Sequence, residues 1–173
     1  VIETTIKLFE EVVKVPVLLS MLAVVLGAEA FNGEQQIKFP SSVYELYARA
    51  TAAVIEQYVN GQTNEAVSKD DIERCLRVIA YKNHLSRNRV FTSEQAMASL
   101  EGEPALLNAW RKIMHNSDRN PPLVKVLTMA SPTGEGGEYQ FSHLSFQEYF
   151  FVEAFRHETG SGGLPPGFRW ETT

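Results

Sequence analysis

The stretch LVKVLTMASPTGEGGEYQFSH, residues 123–143, changes the hydrophobic period of the chain from helical to alternating. Residues 123–129 alternate between two faces of an extended segment, and the alternation returns after a turn rich in glycine and proline. We therefore predict two strands joined by a flexible turn. The alternation places His143 on the same face as Tyr139 and Phe141, and this face is expected to point inward.

Segments with helical spacing surround this hairpin, since their apolar residues recur every three or four positions. The predicted helices cover 2–13, 17–26, 43–59, 68–85, 93–100, 104–114 and 146–158, with a short extended piece at 90–91. Two strands beside three helices are typical of a winged helix. The predicted fold class is mainly α, with a small helical subdomain followed by a winged-helix subdomain with a short β-hairpin.

The polar segment 61–67 separates the two predicted subdomains. Residues 1–60 are predicted to form the helical subdomain, and residues 68–158 the winged-helix subdomain. Residues 159–173 are rich in glycine and proline and are predicted to be a linker or a disordered tail.

Pro16 can begin the helix over 17–26, because proline is well placed in the first turn of a helix. Gly27 is expected to end it. This helix is apolar nearly all round, which predicts burial on all sides.

Two capping boxes are predicted at helix starts, in which a serine and a glutamate each bond the other's free backbone N–H. The first pairs Ser42 with Glu45, and the second pairs Ser145 with Glu148.

Composition narrows the classes of function. The chain has 173 residues, 44% of them hydrophobic, and a net charge of -5, which is the wrong sign for a typical nucleic-acid binder. The apolar run at 15–28 is shorter than the roughly 20 residues that a membrane-spanning helix needs. The single cysteine, Cys75, allows no internal disulfide and is expected to be a small core residue.

Motifs for catalysis are missing from the sequence. Neither G-x-x-x-x-G-K-[ST] nor C-x-x-C, H-E-x-x-H or G-x-S-x-G occurs, and the four histidines are scattered. We therefore expect no catalysis by this chain alone and no bound metal.

Two segments resemble the NACHT family of STAND signalling NTPases. The first is VPVLLSML at 15–22, followed by Phe-Pro at 39–40 and VYELY at 43–47. The second is FSHLSFQEYF at 141–150, which is similar to the F-x-H-x-[ST]-F-Q-E-[YF] signature that ends the family's winged-helix region. The likeness covers residues 1–158 and does not extend to the P-loop core, which would lie N-terminal to Val1.

The resemblance implies a nucleotide-gated switch, in which ADP or ATP is wedged between the NTPase core, the helical lid and the winged helix. Pro16 matches the helix-start proline that lies against the adenine. His143 matches the histidine that reaches the terminal phosphate of the bound diphosphate. The implied partner is the core of the same parent chain, which can itself be an ATPase. A cytoplasmic location, homo-oligomerisation on activation and a role in immune signalling are also implied.

Simpler interpretations stand beside these. His143 can be a core histidine bonded to a carbonyl, and Pro16 can be a helix starter and nothing more. The aromatic residues at 146–155 are expected to form core, while Gln147 and Glu148 are expected to face solvent or cap the helix.

Two other functions remain open. The basic stretch 74–89 could contact DNA as part of a winged helix, but the helix that follows it contains no lysine or arginine, so nucleic acid is an unfavoured partner. The chain could also be a helical protein-interaction domain that binds no nucleotide.

Overall fold

A computed structural model describes residues 12, 14–31, 38–62, 67–115, 120–129 and 136–159. The predicted helix over 2–13, apart from residue 12, and the predicted tail beyond residue 159 lie outside the described residues. The chain divides into two compact units, Val1–Lys69 and Asp70–Thr173, next to the polar segment predicted as a boundary.

Two helices, α1 (Pro16–Phe31) and α2 (Val43–Asn60), pack against each other in the first unit. Ser42 is the N-cap of α2, and its Oγ accepts a hydrogen bond from the backbone N–H of Glu45 at 3.1 Å. The Glu45 carboxylate reaches back to Ser41 rather than Ser42, accepting from its N–H at 2.7 Å. The predicted capping box is therefore present in one half and displaced by one residue in the other.

The apolar helix α1 differs from its prediction in length and in burial. It continues through Gly27 to Phe31, because an exposed glycine costs a helix only about 1 kcal/mol and does not end it. One face is buried, while Leu19 and Val24 on another face are 45% and 39% exposed. Burial on all sides was thus a wrong prediction within the described part of this unit.

An arginine on α2 connects the C-terminal part of α1 to the loop that follows it. Arg49 forms an ion pair with Glu29 of α1 and a second, at 3.7 Å, with Glu45. Its guanidinium also donates to the backbone carbonyl of Lys38 at 2.6 Å. The Arg49 side chain therefore binds the chain on both sides of the α1–α2 connection, at Glu29 and at Lys38.

The second unit has the element order of a winged helix. It contains α3 (Lys69–Leu85) from its second residue onward, followed by β1 (Val90–Thr92), α4 (Ser93–Ser99), α5 (Pro104–His115), β2 (Val124–Thr128), β3 (Glu138–Phe141) and α6 (Leu144–Thr159). The three strands form one antiparallel sheet in the order β1-β3-β2. The mainly α fold class with a short hairpin is confirmed, and the extended piece at 90–91 is the third strand of the same sheet.

Aromatic side chains form the core beneath this sheet. Phe91 of β1 and Phe141 of β3 are almost fully buried, with ring centroids 6.0 Å apart. Trp110 of α5 lies 6.4 Å from the ring of Phe91 and meets Tyr139 edge to face. Such aromatic pairs each contribute about 0.5–1.5 kcal/mol beyond the area they bury.

The end of the hairpin turn is held against the start of α4. The backbone carbonyl of Gly137 accepts from Ser93 N–H at 2.9 Å, and the Gly136 N–H donates to the Glu94 carboxylate at 2.9 Å. A Cβ built on Gly137 would meet the hydroxyl of Tyr139 and lie 2.8 Å from Ser93 Oγ. A side chain at this position would therefore have to push back a buried tyrosine.

Helix α3 ends in a Schellman motif built around an arginine. The N–H of Asn88 donates to the carbonyl of Asn83 at 2.8 Å, and the N–H of Arg87 donates to that of His84 at 3.1 Å. Arg87 has φ of 55°, in the left-handed region that usually selects glycine. Its side chain is exposed, so this backbone cost has no compensation from burial.

We expect Arg87→Gly to stabilise the chain by about 0.5–1 kcal/mol, because glycine removes the left-handed penalty but adds unfolded-state entropy. Urea denaturation would show this as a higher midpoint at unchanged slope. Arg89→Gly, two residues further on, is the control and should be neutral or slightly destabilising. A lower midpoint for Arg87→Gly than for the wild type would contradict the assigned strain.

Gly137→Ala is expected to destabilise the winged-helix unit by about 1–3 kcal/mol through overpacking against Tyr139. Gly102→Ala is the matched control, since a Cβ there meets nothing within 4 Å. Thermal unfolding of the two variants should differ by several degrees. Equal unfolding temperatures would show that Tyr139 moves aside freely.

Candidate functional site

His143 lies at the junction between β3 and α6. The strand ends at Phe141, and Ser142 N–H then donates to Leu123 O at 2.8 Å as the last bond of the ladder. Beyond it the chain turns into α6, so the alternation of faces stops before His143. The prediction that His143 points inward with Tyr139 was wrong, because the histidine is exposed.

The imidazole of His143 caps the start of α6. Its Nδ1 accepts from the backbone N–H of Ser145 at 3.3 Å and lies 2.6 Å from Ser145 Oγ. The helix begins at Leu144, so Ser145 is inside the first turn and not at the N-cap. The predicted capping box of Ser145 with Glu148 was therefore wrong, and His143 takes the role assigned to the serine.

Gln147 is buried, which contradicts its predicted exposure. Only 3% of its surface is accessible, and its Nε2 donates to the backbone carbonyl of Asn88 at 2.9 Å. This bond joins the first part of α6 to the loop that follows the Schellman motif of α3. The neighbouring Glu148 is exposed, as predicted.

Pro16 is the first residue of α1, as predicted, and is exposed. Its carbonyl accepts from Ser20 Oγ at 3.0 Å, one turn further along. The neighbouring apolar side chains Val15 and Leu19 are 41% and 45% exposed. An accessible apolar surface thus surrounds the start of α1.

The two predicted nucleotide-contacting residues belong to different units. Pro16 lies in the first unit and His143 in the second, so each is described in its own surroundings. Their joint contact with one nucleotide stays a prediction.

The basic stretch 74–89 is divided between different roles. Arg74 forms an ion pair with Glu103, across from the start of α5. Lys82, Arg87 and Arg89 are exposed, on the last turn of α3 and the loop after it. The exposure of these three side chains agrees with the prediction of a solvated helix face followed by a polar loop.

The aromatic residues of α6 form core only in part. Phe146 and Phe150 are buried, and Phe150 lies 6.2 Å from Phe141 between ring centroids. Phe151 is half-buried and stacks on His84 of α3, with centroids 4.0 Å apart. The helix therefore packs on the sheet with one face and on α3 with the next.

Cys75 lies in the core, as predicted. Its Sγ donates to the carbonyl of Leu106 at 3.3 Å, and burial raises the pKa of the thiol to about 12. A thiol of this kind is a poor nucleophile at neutral pH.

Metal ligands and membrane-spanning segments were also sought among the described residues. No group of three or more histidine, cysteine or carboxylate side chains is placed to hold a metal ion there. Within the same ranges, each helix is too short or too polar to be a candidate for spanning a bilayer.

Comparison of the chain with protein-family models, curated proteins and solved structures finds no match in any of the three. The likeness to NACHT proteins therefore depends on the two sequence segments described above.

The bond from Gln147 to Asn88 leads to a stability prediction. Gln147→Ala should destabilise the chain by about 1–3 kcal/mol, because it leaves a carbonyl without its buried donor. Glu148→Ala, at the exposed neighbouring position, should change stability by no more than about 0.5 kcal/mol. Urea denaturation measures the stability of both variants. Equal losses would show that the buried Gln147 amide does not hold α6 to the loop at Asn88.

Proposed function

We propose that this chain is the regulatory part of a NACHT-type signalling NTPase, closing over ADP or ATP held by a P-loop core of the same parent chain. The observation that supports this best is the position of His143. It is an exposed imidazole at the first turn of a helix, directly after the strand that carries the family-like F-x-H pattern. The winged-helix element order around it agrees with the proposal.

The start of α6 favours an anion. The helix dipole adds partial positive charge at the first-turn backbone N–H groups, of which that of Ser145 is already bonded to His143 Nδ1. An exposed imidazole N–H beside them can donate to a phosphate oxygen. His143 is proposed to contact the terminal phosphate of the nucleotide in the closed state.

The start of α1 is proposed to contact the base. Pro16 and its exposed neighbours Val15 and Leu19 form an apolar surface that can pack on the flat face of an adenine. This surface and the imidazole belong to different units of the chain. A nucleotide bound by both would hold the units in one arrangement, and its loss or exchange would release the winged helix.

The remaining parts of the proposal follow from the resemblance of the two sequence segments to NACHT proteins. The chain performs no hydrolysis itself, since phosphates require a lysine and a ring of backbone N–H groups that its sequence does not supply. The P-loop core would provide both. Release of the winged helix would expose assembly surfaces for homo-oligomerisation, in a cytoplasmic signalling protein.

The test measures how much ADP the chain retains when it is expressed as one protein with the P-loop core. His143→Ala should weaken retention by about 10- to 100-fold, as expected for loss of one hydrogen bond to a charged group. The readout is nucleotide released on denaturation, separated and quantified by chromatography.

Two variants separate this role from helix capping. His143→Asn keeps a strong N-cap but lacks the reach of the ring, so it should fold normally and still lose ADP. His157→Ala, at the other end of α6, should retain ADP as the wild type does. Full retention by both His143 variants, or the absence of a Walker lysine from the sequence encoded before Val1, would overturn the proposed function.

A further inference from the structure

The ring of His143 has two nitrogen atoms in different surroundings. Nδ1 faces Ser145, whose backbone N–H lies 3.3 Å away and whose Oγ lies 2.6 Å away. Among the described residues, both hydrogen bonds of the ring are made with this one serine. Nε2 is on the opposite side of the ring, and the residue is exposed.

The backbone N–H of Ser145 decides which nitrogen holds the proton. This group can only donate, so Nδ1 must present its lone pair. A proton on Nδ1 would point one N–H at another and would leave the Ser145 N–H without an acceptor in the first turn of α6. A neutral ring that accepts this backbone bond has its proton on Nε2, and the Ser145 hydroxyl, 2.6 Å from Nδ1, is then the donor of the second, shorter bond.

We propose that Ser145 is a positioning residue that holds the neutral imidazole of His143 with its proton on Nε2. The N–H donor then lies on the ring nitrogen that does not face Ser145, in an exposed residue. Its use in binding a phosphate rests on the function proposed above, whereas the state of the ring does not. An anion that meets the ring would find a donor already formed and oriented.

The first test is nuclear magnetic resonance of the ring nitrogens in the 173-residue chain, at a pH where the imidazole is neutral. In the wild type, Nδ1 should resonate as an acceptor nitrogen and Nε2 as a protonated one, with about a tenfold excess of this tautomer. Ser145→Ala keeps the backbone donor but loses the hydroxyl. It should reduce this excess several-fold and move both signals toward their average.

Matched variants separate positioning from a general effect on the helix. Ser145→Thr retains both donors and should restore the wild-type signals. Ser142→Ala changes the serine on the other side of His143, whose N–H bonds Leu123 O, and should leave the ring signals unchanged. A protonated Nδ1 in the wild type, or identical ring signals in Ser145→Ala, would overturn the proposal.

The second test uses the protein that contains the P-loop core. Ser145→Ala should reduce ADP retention several-fold, less than His143→Ala does, and Ser145→Thr should recover it. If Ser145→Ala shifts the ring signals but neither His143 nor Ser145 variants lose ADP, the positioning role stands and the nucleotide function fails. If His143→Ala loses ADP while Ser145→Ala changes neither signals nor retention, the function stands and the role of Ser145 is rejected.

Discussion

Val126, Tyr139 and Phe91 lie side by side across the three strands, and this row sets the register of the sheet. Tyr139 and Phe91 point into the aromatic core. A shift of the strand pairing by one residue would therefore bring both rings to the surface and turn their polar neighbours into the core. The same register makes Phe141 the last inward residue of β3. The position of His143 follows from this end of β3. Ser142 makes the next bond of the ladder, and the chain then enters α6.

Local patterns predicted most of the elements, and contacts between distant residues account for the errors. The helical period located α2 to α6, and Ser42 marked the start of α2, because these signals depend on neighbours within one turn. The pairing of β1 with β3 joins Phe91 to Tyr139, and three strand residues are too few for a period to reveal it. Gln147 looked like a surface residue because its acceptor, the carbonyl of Asn88, is 59 positions away in sequence.

For the candidate site, the sequence motif singled out a residue, but its geometry could not be predicted. The motif identified His143, whereas the assumption that strand alternation continued to residue 143 gave its direction wrongly. The spacing of a histidine two residues before a serine at a helix start could have indicated the Nδ1 bond, since side chains of N-cap residues reach the N–H two or three positions on. The capping-box pattern of Ser145 with Glu148 competed with that interpretation. Only the first residue of the helix, Leu144, decides between them.

The two nitrogens of His143 allow one side chain to serve the fold and a ligand at once. The bond at Nδ1 satisfies a free backbone donor of α6, so it contributes to stability whether or not anything is bound. Under the proposed function, Nε2 would gain a phosphate without breaking that bond, and little conformational entropy would be lost on binding because the ring is already held. A serine or asparagine would cap the helix equally well, but its shorter side chain would not carry a donor as far as Nε2 of the imidazole. Under the proposed function, histidine suits this helix start because it combines the two tasks.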